Sequence, residues 1–279
     1  MSSTDAIETV SNFILDAPPG ELQDVLSDVK SLIGNEDGIL QELSPAIEKY
    51  NKEQLVTTKL PGSSSLVLVS EFNELGDGRF FDVESQSSFA FDHVSQKASN
   101  VQSYVFESQH SALIKSLLKP LGAHVSEHYP SHPAYGVYPT SSDSTIALLI
   151  TGAKFSPSNY WNGRWRSVYT FDPSTNELSG EIKVDVHYYE DGNVRLLTTN
   201  TLEAVEIPGG SAVEVVKTIA KKEKEYQEKL NDAFGQLSEG AFKSLRRQLP
   251  ITRQKIDWDK IGSYRLGQQV GLFPTHEHS

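Results

Sequence analysis

Few residues in this chain have the types and spacing that do chemistry. His124, His128 and His132 stand four apart, a spacing that on one helical face would offer a metal three imidazoles. Pro130 and Pro133 break such a helix before all three are presented, and only Glu127 lies near as a carboxylate. The three therefore read as satisfied or solvated histidines. Glu181, Asp185 and Glu190 are carboxylates near one another, as acid–base work requires, but in alternating β-type sequence they read as a solvated face. Trp161, Arg164 and Trp165 allow cation–π stacking on a ligand. Packing at a strand entry is the plainer reading. No phosphate-binding glycine loop, serine-nucleophile elbow, H-E-x-x-H or dinucleotide fingerprint occurs, and "GDGRFF" lacks the third glycine and following helix. Cysteine is absent, which removes thiolate ligands, a thiol nucleophile and disulfides. No catalysis, no cofactor and no metal is expected.

The strongest chemical signal is electrostatic. The 279 residues carry a net charge of -12, yet "KSLRRQLPITRQKIDWDKIGSYR" is basic. In it Lys243, Arg246, Arg247, Arg253, Lys255, Lys260 and Arg265 face two acids, Asp257 and Asp259, leaving +5. Trp258, Ile261 and Tyr264 of the same segment fall within about 120° on a helical wheel, a compact apolar patch. The first sixty residues are the opposite, with eleven acids against Lys30, Lys49, Lys52 and Lys59. An acidic total argues against bulk nucleic-acid binding. Two readings of the basic segment stand: a terminal helix docked on its own core, or a segment that orders against a partner. Gly262, Gly267 and Gly271 each cost roughly 1 kcal/mol of helix stability against alanine, which favours the partner. Anionic lipid would attract the same groups, by about 1 kcal/mol per basic residue.

The elements that must carry these groups follow from periodicity. Residues 1–57 read as three helices. The first has capping-box-like Asp5 and Glu8 and is stopped by "APPG". The second carries the stripe Leu22, Val25, Leu26, Val29, Leu32 and Ile33. The third starts at Ser44-Pro45, with Ile47 and Tyr50 inward. Residues 58–143 hold short strands at 65–72, 79–83 and 87–94, a helical piece with Leu113, Leu117 and Leu118, and the loop-rich "HYPSHPAYGVYPTSSD". Residues 144–207 form a four-strand antiparallel meander whose last hairpin turns at "EDGN". In its third strand Val184, Val186 and Tyr188 oppose Asp185, His187 and Tyr189, so one face is half polar and something covers the other. In 208–250 a long helix repeats apolar residues at 212, 216, 219, 226, 230, 233 and 237, with Glu223 the one polar member of the seam. A second helical run, "AFKSLRRQL", follows, and the tail is 251–279. This is an α+β chain. Acids where a leader needs basic residues, and no apolar run of about 20, make the cytoplasm the simplest expected location.

At "NYWNGRWRSVY" (159–169), "KVDVHYYEDGNVRLLT" (183–198) and "LRRQLPITRQKIDW" (245–258) the chain closely resembles the alpha subunits of heterodimeric F-actin capping protein. The likeness runs through the whole chain in order. It implies a three-helix N-terminal stalk, a small β-rich globule, an antiparallel meander shared with a beta subunit and covered by a long C-terminal helix, and an amphipathic basic tentacle. The implied partners are that beta subunit and the barbed end of the actin filament, in cortical actin structures of the cytoplasm. The implied actin contacts are Lys243, Arg246, Arg247, Arg253 and Lys255, with Trp258, Ile261 and Tyr264 as the apolar patch. Regulation by phosphoinositides at Lys243 and Arg247, and by capping-protein regulators, is implied as well. A phosphoinositide-binding cytoskeletal adaptor using the same tail is the alternative.

Overall fold

The computed structural model describes residues 3–33, 39–63, 66–129, 131, 133–190 and 193–236. The chain forms two compact units, 1–226 and 227–279. The C-terminal run, the basic tail, His132 and the Asp191-Gly192 turn lie outside the described residues.

Three helices open the chain, α1 (Ser3–Leu15), α2 (Leu22–Ile33) and α3 (Ile39–Glu53). Between the first two, Gly20 sits at φ +80, and a Cβ there would come 2.9 Å from the Phe155 ring, so the tight turn and close approach both require glycine. Leu22, Leu26 and Val29 bury as the stripe predicts, but Leu32 is 78% exposed. The third helix begins five residues before the predicted Ser44-Pro45 start, with Pro45 inside it. Proline there forfeits one backbone hydrogen bond. The burial of Leu43, Ile47 and Tyr50 below it holds the helix across that gap.

Two small antiparallel sheets follow. One pairs β1 (Thr57–Lys59) with β2 (Leu66–Leu68). The other is β3 (Glu74–Gly76), β4 (Arg79–Asp82), β5 (Ser87–Asp92) and β6 (Lys97–Ser103) in chain order. Ile14, Leu26, Leu43, Ile47 and Tyr50 of the helices share one core with Val67, Phe80, Phe89 and Phe91 of the strands and with Val69, just past β2. Burying apolar surface is the dominant favourable term here, and neither layer covers itself.

Next comes α4 (Ser111–His128), burying Ile114, Leu117, Leu121, His124 and Val125. The main sheet has five strands, not the four expected: β7 (Ala134–Pro139), β8 (Ile146–Ser156), β9 (Trp161–Asp172), β10 (Glu177–Tyr188) and β11 (Val194–Glu206), in order β11-β10-β9-β8-β7. The added strand, β7, comes from the segment read as loop. Pro133 and Pro139 bracket it, and proline is tolerated at the ends of an edge strand. Last, α5 (Ala212–Gln236) runs 25 residues, about 37 Å at 1.5 Å per residue.

Candidate functional site

Strand alternation sorts the "NYWNGRWRSVY" motif onto two faces. Trp165, Ser167 and Tyr169 face α4 and α5; Asn162, Arg164 and Arg166 face the N-terminal helices. Each face buries a polar cluster.

Under α5, the polar member of the heptad seam is buried at the centre. Glu223 accepts hydrogen bonds from the Ser167 hydroxyl (3.0 Å) and the Tyr169 hydroxyl (2.8 Å), and its second oxygen lies 2.8 Å from His124 Nε2. The indole of Trp165 donates to Ser167 (2.8 Å) and stacks at a tilt on Tyr226. Burial, and then the neighbouring Glu223 carboxylate, push the Tyr129 and Tyr169 hydroxyls far above the ordinary tyrosine range. Val215, Val216, Ile219 and Tyr226 close the seam around this cluster. His124 and His128 stack with centroids 4.6 Å apart, and His128 Nδ1 lies 3.0 Å from the His124 carbonyl oxygen. Among the described residues no group of three metal-ligating side chains forms.

The opposite face corrects the expectation that Asp185 is solvated. Asp185 is fully buried, and Arg195 grips it with two hydrogen bonds, Nε to Oδ1 at 2.9 Å and Nη2 to Oδ2 at 2.7 Å. That pairing raises the already high basicity of Arg195, which also donates to the Asp16 carbonyl. His187, predicted on the polar face, is buried too, with Nδ1 2.8 Å from Glu21 and Nε2 2.8 Å from Asn193. Asn162 donates to the same Glu21 oxygen at 2.7 Å. The polar face of the meander is thus an inner one, and the acidic N-terminal helices supply its counter-groups. Val184 and Val186 are half-buried on the other face, and Tyr188 and Glu190 are exposed. Glu21, Asn193 and Arg195 were not singled out in the sequence, because their partners lie 6 to 179 residues away.

Among the described residues the outer side of β11 pairs with nothing, leaving a 13-residue edge on which Val194 (64%) and Leu197 (62%) are exposed. A long unpaired edge with apolar side chains is a template for another chain. The predicted contacts Lys243, Arg246, Arg247, Arg253, Lys255, Trp258, Ile261 and Tyr264 all lie outside the described residues.

A mixed chain of N-terminal helices, two small sheets and a five-stranded antiparallel sheet beneath a long helix defines an α+β protein built around an open sheet edge. The family model for the F-actin capping protein alpha subunit matches residues 10–269, and the chain belongs to that family. It is 59% identical over 266 residues to the F-actin-capping protein subunit alpha of Gibberella zeae, covering 95% of this chain and 97% of that one. The same protein of Emericella nidulans is 58% identical (97% and 98% covered), and that of Candida glabrata 36% (96% and 98%). The structure of the homodimeric actin capping protein alpha subunit from Plasmodium berghei shares the fold, with TM-score 0.69 at 18% identity over 89% of this chain and 98% of that one. Members of the family are actin-binding structural proteins of the cytoskeleton rather than enzymes.

Proposed function

We propose that this chain is one half of a capping-protein heterodimer that binds the barbed end of the actin filament and blocks subunit addition and loss without calcium. The family match over residues 10–269 carries the proposal, and the open β11 edge supports it. A beta subunit continues the sheet past β11, covering Val194 and Leu197; expressed alone, the chain aggregates or is degraded. The body is acidic and the last segment basic, so an acidic actin surface attracts the tail and repels the rest, which orients the encounter. Lys243, Arg246, Arg247, Arg253 and Lys255 make the charged contacts. Trp258, Ile261 and Tyr264 enter an apolar groove. Phosphoinositides compete at Lys243 and Arg247, and the complex works at cortical actin in the cytoplasm.

Reversing charge at Arg246, Arg247 and Arg253 together should leave the heterodimer assembled while weakening capping roughly 100-fold or more in seeded elongation assays. The association rate should fall with salt, since the Debye length is only about 8 Å at physiological ionic strength. Trp258→Ala should instead raise the dissociation rate with little change in salt dependence. Capping should be unchanged in calcium chelator. A triple reversal that caps like wild type would remove the tail from the actin contact.

A further inference from the structure

At the edge of the main sheet opposite β11, a cavity of about 440 Å³ lies where the β1–β2 hairpin, the turn after β4 and the start of β7 meet. Leu60, Leu66, Val67 and Pro133 give it an apolar side, and Asp82 and Glu84 an acidic one. Among the described residues no lysine, arginine or histidine lines it. Asp82 closes β4, and its Oδ2 accepts the Ser85 backbone N–H at 2.7 Å. Glu84 Oε1 accepts the Tyr135 hydroxyl at 3.0 Å. Neither carboxylate has a cationic partner among the described residues.

Turn chemistry alone does not account for Asp82. Asp92 closes β5 in the same way, accepting the Ser95 N–H at 2.6 Å, and it stays exposed. Asp82 is only 7% exposed, and burying a carboxylate without a cation is a cost the turn does not require. Tyr138 is a second, separate observation. Its ring lies back along β7 over Gly136, where a Cβ would come 2.5 Å from the hydroxyl oxygen, towards Ala134 at the cavity. That hydroxyl is fully buried and has no hydrogen-bond partner. Burial, and then the Asp82 and Glu84 carboxylates, keep it protonated far above the ordinary tyrosine range. A buried hydroxyl left unmatched is costly, so a polar group that meets it is favoured.

The donors and acceptors decide which cation fits. A guanidinium fork grips best where both oxygens of one carboxylate are open, and here each carboxylate already has one oxygen engaged. An ammonium has three rotatable donors, enough for Asp82, Glu84 and the Tyr138 oxygen. An aliphatic stem behind it suits the apolar side. The cavity is larger than one lysine side chain and leaves room for the residues that flank it, which favours a protein over a free amine. We propose that the cavity is a socket for a lysine side chain of a second protein, its ammonium on Asp82 and Glu84 and its stem on Leu60, Leu66 and Val67. β7 is four strand spacings, about 19 Å, from β11, so the socket does not depend on the chain that extends the sheet.

The test uses the co-purified heterodimer with isotope-labelled leucine and valine methyl groups in this chain, followed by NMR. The probe is the tripeptide Ac-Val-Lys-Val-NH2. Its Nε-acetyl-lysine counterpart removes the charge, and cadaverine supplies an ammonium without a peptide. The lysine tripeptide should shift the methyl signals of Leu60, Leu66 and Val67 to saturation. Binding should weaken by about tenfold or more for the acetylated peptide and in Asp82→Asn. That variant keeps an oxygen for the Ser85 N–H, so the turn survives. Asp92→Asn, the exposed counterpart, should change binding by less than about twofold. No shift with the lysine tripeptide, equal binding of the acetylated peptide, or unchanged binding in Asp82→Asn overturns the proposal. Cadaverine binding as tightly as the tripeptide overturns it too, because the socket would then be one for a free amine. If Asp82→Asn fails to fold, the two peptides compared on the wild-type chain decide alone.

Discussion

Beneath α5, a single carboxylate, Glu223, is met by His124 and two hydroxyls from the same chain. On the face toward the N-terminal helices, Arg164, Arg166 and Arg195 share one fully buried sheet carboxylate, Asp185, and only Arg195 is paired with it. The first cluster is closed by residues of this chain. The second sets three guanidiniums around Asp185, with the Glu21 carboxylate on Asn162 and His187 of the same face. Buried charge is tolerated when it is paired and hydrogen-bonded, so the first cluster rests on one shared carboxylate and the second on the Asp185–Arg195 pair.

The largest expected effect of a single substitution is at Arg195. Arg195→Ala strips the buried Asp185 of both its hydrogen bonds from Arg195 and of its ion-pair partner, and should cost the heterodimer roughly 4 kcal/mol in urea unfolding. Glu223→Gln should cost less, about 1–2 kcal/mol, because the amide keeps an oxygen for Ser167 and Tyr169 while its NH2 faces the His124 ring. Equal losses at the two positions would break the contrast between the faces.

The smallest effect expected is a pH dependence away from both clusters. His93 packs against Phe80 and Phe91, and burial lowers its pKa below the usual histidine value. The folded state therefore binds a proton less readily than the unfolded chain. Its contribution is fully present above the unfolded pKa of about 6.5 and is lost as pH falls through the lower, folded value. Urea midpoints measured at about pH 7 and about pH 5 should drop less in His93→Gln than in wild type. An identical drop would place the acid sensitivity elsewhere.

Much of this architecture was legible because its signals are local. The α2 stripe, the hairpin-linked strands and the heptads of α5 are periodicities within one segment, and the basic run from Lys243 is composition within one segment. Glu223 stood out as the one polar residue in an apolar seam, which flagged a buried polar centre without saying what satisfies it. His124 lies 99 residues away and Ser167 and Tyr169 more than 50, and no short-range pattern joins them. Asp185 and His187 misled for the same reason. Aspartate on an alternating strand ordinarily faces water, and only α1, α2 and the paired β11 bring Asp16, Glu21 and Arg195 over it. At β7 the bracketing prolines hid a strand whose interior residues Val137 and Tyr138 are fully buried.

Amide hydrogen exchange along β11 tests the central claim, that a second chain completes this sheet, more directly than any substitution. In the co-purified heterodimer, the β11 amides that point away from β10 should be protected to the same degree as those of β9, an interior strand of the sheet. If those amides exchange freely while the heterodimer remains intact and β9 stays protected, the edge is open in the assembly and the shared sheet is contradicted.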